Sequence, residues 1–344
     1  MAQGISRRRF LGASLVTALG LGLVGCGGSQ GSAGTSATSA AASEPVTVRV
    51  ASLKGPTSIG LVQFMSEAKD GKTTNTYEFS MSAAPDEVTP KVISGDVDIA
   101  LVPSNVASVL YNKTEGKVEV IDINALGVLN VVTGDGAVKE FDDLAGKTVY
   151  LTGKGATPEY SMNYLLAQAG IADKVTLEFK SEPTEIVSVL AQDANAVGIL
   201  PEPFKTVALV KNPALSSPID LTDVWDDLAG ETGSKLITGV TVVRKEFADA
   251  NPAAVFEFLG GHAASVEAVN ADPATWAQAI VDEGIVGSAA VAEKAIPGCH
   301  LVATQGEDMK DALSGYLKVL ADADVSSVGG QLPGDDFYYV LQGA

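Results

Sequence analysis

The sequence predicts an α/β fold of two lobes, each a β-sheet flanked by helices, with a cleft between the lobes. The main observation is a strand–turn–helix unit in residues 46–65, VTVRVASLKGPTSIGLVQFM, which has a second copy in residues 147–166, KTVYLTGKGATPEYSMNYLL. Each copy is followed by a short helical pattern and then by a strand that ends at a proline, Pro103 or Pro201. Any α/β protein repeats strand–turn–helix units, but duplication in this order favours two similar lobes that face each other.

The turn in each copy brings a helix start to the end of a strand. In the first copy, Gly55 allows a sharp turn and Pro56 begins the helix; in the second, Gly153 and Gly155 come before Thr157. Free N–H groups at such helix starts point beyond the carboxyl end of the sheet, where open α/β sheets bind small molecules. The two turns therefore predict the walls of a ligand cleft.

The remaining elements are assigned to the lobes in chain order. Lobe one is predicted to comprise residues 46–131 and 243–344, and lobe two residues 132–242. Two β-prone runs, residues 118–133 and 235–244, are predicted to cross between the lobes, and the helices after residue 252 to pack back on lobe one. Two crossings make a hinge.

The amino terminus is predicted to be a targeting segment and not part of the fold. Residues 1–25 resemble a twin-arginine lipoprotein signal peptide, with Arg7, Arg8 and Arg9 before an apolar stretch. Cys26 is the predicted lipidation site, and residues 26–45 form a flexible tether rich in Gly, Ser and Ala. The alternative is an uncleaved membrane anchor with an incidental cysteine.

Charge and composition exclude several kinds of protein. The formal net charge is −19, and because the first 25 residues contain three arginines and no acid, the remainder carries −22, which argues against nucleic-acid binding. If Cys26 is acylated, Cys299 has no cysteine partner within the chain. Cys299, His300 and His262 do not form a ligand-spaced cluster, so we predict no metal site and no cofactor.

Four motifs carry a family resemblance: KGPT after the first strand, DIALVPSN, FDDLAGKTVYLTGKGATPE and GILPEP. With the exported, tethered two-lobed chain, they resemble substrate-binding proteins of ABC importers, in the branch of nitrate, sulfonate and thiamine-precursor binding proteins. The resemblance implies the type II periplasmic-binding-protein fold. It also implies ligand-binding residues at Lys54, Gly55, Pro56, Thr57, Ser58, Ser104, Asn105, Thr152, Gly153, Gly155, Ala156, Thr157 and Glu202.

The implied function is capture of a small polar molecule by hinge closure and its delivery to an ABC transporter permease. The protein would be a monomer, lipid-anchored at the outer face of the bacterial cytoplasmic membrane. The alternatives are an enzyme of the same fold, of the thiamine or menaquinone precursor type, and a ligand-sensing surface lipoprotein. No convincing nucleophile with a base, metal triad or phosphate loop occurs in the sequence, so we expect no enzymatic activity.

The chemistry of the predicted cleft leaves the ligand open among a sulfonate, a nitrate-like anion, an amino acid and an aminopyrimidine. Lys54 and the helix N–H groups favour an anion, whereas Glu202 favours an amine or a protonated ring. Glu202 can instead be an acid that stabilises a helix start, and the hydroxyls of Thr57, Ser58 and Thr157 can cap helices instead of contacting a ligand. Tyr160, Phe204 and Trp225 are candidates for stacking on a ring, although aromatic side chains more often lie in the core.

Overall fold

The computed structural model describes residues 44–229 and 232–340. The predicted signal peptide, Cys26 and almost all of the predicted tether lie outside these residues. No helix within the described residues is long and apolar enough to cross a membrane.

The described residues form eleven strands and thirteen α-helices. The strands are β1 (Thr47–Leu53), β2 (Thr76–Ser82), β3 (Ile99–Pro103), β4 (Val118–Leu126), β5 (Leu129–Thr133), β6 (Thr148–Leu151), β7 (Thr176–Phe179), β8 (Val197–Pro201), β9 (Ser216–Asp220), β10 (Ile237–Arg244) and β11 (Leu301–Thr304). The helices are α1 (Pro56–Ile59), α2 (Val62–Lys69), α3 (Pro85–Ser94), α4 (Ser104–Lys113), α5 (Thr157–Gln168), α6 (Pro183–Gln192), α7 (Phe204–Lys211), α8 (Leu221–Ala229), α9 (Lys245–Ala250), α10 (Pro252–Ala271), α11 (Pro273–Asp282), α12 (Ala289–Ala295) and α13 (Gly306–Ala323).

The strands form two sheets with the same internal arrangement. The six-stranded sheet has the order β11–β4–β10–β3–β1–β2, and the five-stranded sheet has the order β7–β6–β8–β5–β9. In the first, β1 pairs in parallel with β2 and β3; in the second, β6 pairs in parallel with β7 and β8. An antiparallel strand follows in each, β10 beside β3 and β5 beside β8. The duplicated sequence unit therefore forms the same parallel trio twice, and the predicted fold class is confirmed.

The chain passes between the sheets next to Gly127. Strand β4 ends at Leu126 in the first sheet and β5 begins at Leu129 in the second, so residues 118–133 are two strands and not one. On the way back, β10 already belongs to the first sheet, whereas the sequence-based boundary placed most of this strand in lobe two. Both runs are β-prone throughout, so their composition does not mark where the chain changes sheets.

Apolar faces of the helices cover the first sheet, as predicted. Phe258 and Leu259 of α10 pack with Val48 and Val50 of β1 in one buried cluster. The single helix predicted after the first turn is divided at Gly60 into α1 and α2. The elements β9, α8 and β11 were not predicted. Strands β9 and β11 lie at sheet edges and have only five and four residues, which give little signal in the apolar pattern.

Candidate functional site

The starts of α4 and α5 meet between the two sheets. Helix α4 begins at Ser104 directly after β3, and α5 begins at Thr157 after the turn that follows β6. The Ser104 Oγ lies 3.0 Å from the Thr157 Oγ1 and donates a hydrogen bond to the carbonyl oxygen of Ile237 at 2.6 Å. Both side chains are fully buried, so the two predicted cleft walls are in direct contact at this point.

Asn105 joins three segments through its amide group. Its Nδ2 donates to the carbonyl oxygens of Ser327 at 3.0 Å and Gly155 at 3.4 Å, and its Oδ1 accepts from Thr157 Oγ1 at 3.1 Å. The sequence predicted Ser104, Asn105, Gly155 and Thr157 as site residues, and the structure brings these four together. The partner Ser327 was not predicted, because it lies 222 positions along the chain from Asn105.

A further pair of hydroxyls extends this contact. Ser161 of α5 and Tyr316 of α13 lie 2.8 Å apart, oxygen to oxygen, and both are fully buried. Burial raises the pKa of Tyr316 above its ordinary value, so its hydroxyl stays protonated and able to donate.

The hydroxyls that follow the turn between β1 and α1 donate hydrogen bonds to the backbone of the same lobe. Thr57 Oγ1 and Ser58 Oγ donate to the carbonyl oxygen of Leu53 at 3.0 and 2.6 Å, and α1 has no side-chain cap. Gly55 has a φ of 143°, a conformation that favours glycine. The Lys54 side chain points to solvent and is exposed. Capping of α1, one of the two sequence-based alternatives, is therefore not the role of Thr57 and Ser58.

The turn before α5 has two glycines in the left-handed region, Gly153 and Gly155, with φ of 80° and 73°. The Gly155 N–H, one residue before the N-cap Ala156, donates to a Glu159 carboxylate oxygen at 2.5 Å. Thr152 is half-buried, Ala156 is buried, and Lys154 is exposed with its Nζ 6.0 Å from the centre of the Phe179 ring. Thr157 does not cap α5.

Glu202 is buried between the two lobes, with 2% of its surface exposed. One carboxylate oxygen accepts from the Lys205 Nζ at 2.9 Å and the Thr206 hydroxyl at 3.0 Å, and the other accepts from the Thr206 N–H at 3.1 Å. These contacts fit the alternative that Glu202 stabilises the start of α7. A Cβ at Gly298, in the first lobe, would lie 3.1 Å from the Glu202 Oε1, so the carboxylate also lies directly against the opposite lobe.

Cys299 follows Gly298 and is a free, buried thiol. Burial, with a smaller contribution from the Glu202 charge, raises its pKa well above the ordinary value, so the thiol is neutral.

Both histidines have partners that sequence reasoning missed. His262 Nδ1 lies 2.7 Å from the Asp122 carboxylate, and both side chains are fully buried, while His300 Nδ1 contacts the Gly127 carbonyl oxygen. An aspartate within the apolar run of β4 was the available signal, because a buried charge requires a partner. Within the described residues, no group of three or more His, Cys, Asp and Glu side chains has a metal-binding arrangement.

Comparison with known families identifies the chain. Residues 78–276, more than half of the sequence, match the family model described as NMT1/THI5 like. The chain belongs to the NMT1/THI5-like family. No curated protein matches the sequence significantly.

Solved structures share the fold of this NMT1/THI5-like chain. An ABC transporter structure from Parabacteroides distasonis has a TM-score of 0.72 and 22% identity, covering 86% of this chain and 99% of that chain. The alkanesulfonate-binding protein SsuA from Xanthomonas axonopodis pv. citri, bound to MOPS, has a TM-score of 0.67 and 14% identity, covering 85% of this chain and 96% of that chain. The periplasmic nitrate-binding protein NrtA from Synechocystis PCC 6803 has a TM-score of 0.53 and 14% identity, covering 69% of this chain and 66% of that chain. The predicted resemblance to ABC-importer substrate-binding proteins is thereby confirmed.

The aromatic candidates occupy two different environments in the NMT1/THI5-like chain. Trp225 is fully buried and packs between Tyr164 and Tyr316, and Phe204 lies in the core of the second lobe. Tyr160 lines a small cavity of about 110 Å³ between α5 and α13. Trp225 and Phe204 therefore have the core role that aromatic side chains usually take.

Proposed function

We propose that this chain is an extracytoplasmic solute-binding lipoprotein that captures a small polar molecule by hinge closure and delivers it to the permease of an ABC importer. The observation that carries the proposal is the meeting of two helix starts from different sheets, with Ser104 Oγ and Thr157 Oγ1 3.0 Å apart. Helix starts at the carboxyl ends of parallel strands are the usual small-molecule site of α/β sheets. Family membership and the names of the structural neighbours support the same role.

The proposed division of the chain into moving lobes follows the two sheets. The first lobe is the six-stranded sheet with its helices, and the second is the five-stranded sheet with its helices. The chain passes between them at Gly127 and again before β10, so rotation about these two crossings opens the cleft.

We propose that the ligand lies beside α1 and Glu202, within reach of the turns that begin at Lys54 and Thr152. Its class is a sulfonate, a nitrate-like anion, an amino acid or an aminopyrimidine. Glu202 favours a ligand that carries an N–H donor. Its Oε1 is already paired with Lys205 and Thr206, but its Oε2 accepts one hydrogen bond, from the Thr206 N–H, and can accept another.

The proposed anchoring rests on the sequence. Lipidation of Cys26 after cleavage of the signal peptide would hold the chain at the outer face of the membrane, with residues 27–45 as a spacer. The acidic body, a monomer, would present its surface to the permease.

The experiment is a thermal-shift screen of the four ligand classes, with MOPS, nitrate, amino acids and aminopyrimidines as probes. A compound at 100 times its dissociation constant stabilises the native state by about 2.7 kcal/mol, which raises the melting temperature measurably. Compaction by small-angle scattering at saturation would support hinge closure. An unchanged radius at saturation would contradict closure, and chemical turnover of the bound compound would favour the enzyme alternative.

Substitution at Glu202 tests the contact on the second lobe. If the ligand is cationic or carries N–H donors, Glu202→Gln is expected to weaken binding at least tenfold, because the amide carries no charge. Glu185→Gln is the matched control, since Glu185 is an exposed acid in the first turn of α6, in the same lobe. Equal affinities for the two variants would remove Glu202 from the site.

A further inference from the structure

The contact between the starts of α4 and α5 belongs to a larger group of side chains, which we call the interlobe hydroxyl cluster. It consists of Ser104, Asn105 and Tyr316 on the first lobe and Thr157 and Ser161 on the second. All five side chains are fully buried. Four of the five end in a hydroxyl, and the fifth is a neutral amide.

Each member of the interlobe hydroxyl cluster has a hydrogen-bond partner within the protein. Ser104 donates to the Ile237 carbonyl oxygen, and Thr157 has one hydroxyl hydrogen, which it donates to the Asn105 Oδ1 or to the Ser104 oxygen. Thr157 Oγ1 lies within 3.1 Å of both the Ser104 Oγ and the Asn105 Oδ1, and Ser161 pairs with Tyr316. None of the five leaves a buried side-chain polar atom unpaired, so the cluster is complete with protein groups alone.

On the other side of the predicted cleft, beside α1, not all buried polar atoms have a hydrogen-bond partner. Within the described residues, Asn124 Oδ1 and Thr238 Oγ1, on the crossing strands β4 and β10, are buried and lack a hydrogen-bond partner. Gly239 separates Asn124 from α1, since a Cβ there would lie 2.3 Å from Asn124 Oδ1 and 3.1 Å from the Thr57 methyl carbon. Unpaired polar atoms thus occur beside α1, whereas the α4–α5 side is satisfied.

We propose that the interlobe hydroxyl cluster stabilises the closed arrangement of the two lobes relative to the open one, and that Ser104, Asn105 and Thr157 act by positioning the lobes and not by contacting the ligand. Opening replaces the interlobe hydrogen bonds with bonds to water. A hydrogen bond of average net strength shifts the ratio of closed to open molecules about fivefold. The proposal rests on the hinge motion proposed above but not on the identity of any ligand.

The test measures the distance between the lobes without ligand. Spin labels are attached at Glu87→Cys and Glu185→Cys, exposed positions in the first turns of α3 and α6, in the full chain with Cys26→Ser. The native Cys299 does not interfere, because it is buried and its thiol is neutral. Double electron–electron resonance then gives the distance distribution for each variant.

The expected result for the otherwise unchanged chain is a mixture of a long distance from open molecules and a short distance from closed ones. In Thr157→Val, which keeps the side-chain shape but loses the hydroxyl, the ratio of the short to the long distance is expected to fall about fivefold. Thr157→Ser, which keeps the hydroxyl, is expected to restore this ratio. Tyr316→Phe serves as a second variant that removes only a hydroxyl, should Thr157→Val fail to fold.

Ser108→Ala is the matched control. Ser108 is a buried hydroxyl on the same helix α4, but it donates to the Val328 carbonyl oxygen of the same lobe at 2.8 Å. Its loss is expected to lower stability and to leave the ratio of the two interlobe distances unchanged.

Two results would overturn the proposal. One is an unchanged ratio of the two distances in both Thr157→Val and Tyr316→Phe. The other is a Thr157→Val protein with the unchanged ratio that no longer responds to a compound that stabilises the wild type, which would make Thr157 a ligand contact. Neither result would contradict solute binding itself, which the thermal-shift screen measures separately.

Discussion

Asp98 is a buried charge that connects neighbouring strands of the first sheet. Its carboxylate lies at the start of β3, is 2% exposed, and accepts from Arg49 of β1 at 2.6 and 2.8 Å and from Arg244 of β10 at 2.9 Å. The Arg49 N–H donates to it as well. Three neighbouring strands are thus joined at one carboxylate.

The first prediction concerns Asp98→Asn. Burial works to raise the pKa of Asp98, but the hydrogen bonds from Arg49 and Arg244 outweigh it and hold the pKa below its ordinary value. Asp98 therefore stabilises the fold fully above the ordinary carboxyl pKa of about 3.9, and this stabilisation is lost as pH falls through the lower folded value. Removing the charge is expected to cost roughly 3 kcal/mol at pH 7, because two guanidinium groups lose their partner.

Urea unfolding of Asp98→Asn and wild type at pH 7 and at several acidic values measures this effect. The difference in unfolding free energy should shrink below about pH 4. Asp311→Asn, at an exposed position of α13, is the control and should differ little from wild type at any pH. A difference for Asp98→Asn that stays constant with pH would contradict the charge explanation.

At the scale of residues, the sequence predicted that Ser104 and Thr157 belong to one site, and the structure places them in contact, but it did not predict the other partners in that region. Ser104 and Thr157 follow strands in the duplicated unit, so their convergence follows from the fold. Asn105 bonds to Ser327, and His262 bonds to Asp122. Both partners lie far away along the chain, and no local sequence pattern indicates such pairs. The positions of Lys54 and Lys154 in surface turns left their side chains exposed.

At the scale of elements, the crossing of α10 and α2 depends on one glycine. A Cβ at Gly261 of α10 would lie 2.3 Å from the ring of Phe64, which is 1% exposed and packs edge-on against Tyr77 and Phe258. Gly260, the preceding residue in the same helix, has open space at the corresponding point.

Alanine substitutions at these two glycines are predicted to change the stability of the protein in opposite directions. Gly261→Ala is expected to destabilise the protein by about 1–3 kcal/mol, because the enclosed Phe64 ring must move. Gly260→Ala is expected to stabilise it by up to about 1 kcal/mol, because alanine is the better helix former. Thermal and urea unfolding of both variants measure the effects. Equal changes for the two would show that helix propensity and not the close approach decides the outcome.

Long helices and strands could be predicted because burial of one face makes apolar residues recur along the sequence at the spacing of a helix or a strand. The sequence predicts a strand over residues 76–82 and a helix over residues 252–269, and β2 and α10 match these ranges within two residues. The point at which the chain changes sheets was not predictable, since the residues on both sides of Gly127 are equally apolar. A Cβ at Gly127 would lie 2.3 Å from the Thr222 Oγ1, a contact with α8 that only the folded structure reveals.

At the scale of the whole molecule, the dominant physical property is the excess of acidic residues. The chain has 42 acids against 23 lysines and arginines. Like charges repel across the surface of the compact body and favour its unfolding. Charges that are buried and paired, such as Asp98 and Glu202, are shielded from solvent ions, so salt acts mainly on the exposed excess.

Stability is therefore expected to rise with salt at neutral pH. Between 0.01 and 0.15 M sodium chloride the screening length falls from about 30 to about 8 Å, which removes most long-range repulsion. We expect a gain of about 1 kcal/mol, or roughly 2 °C in melting temperature, measured by calorimetry, with little further gain above about 0.2 M. Choline chloride should act equally, because screening depends on ionic strength and not on the cation. A melting temperature that falls over this range would mean that exposed ion pairs such as Lys318–Asp322 stabilise the fold more than the net charge destabilises it.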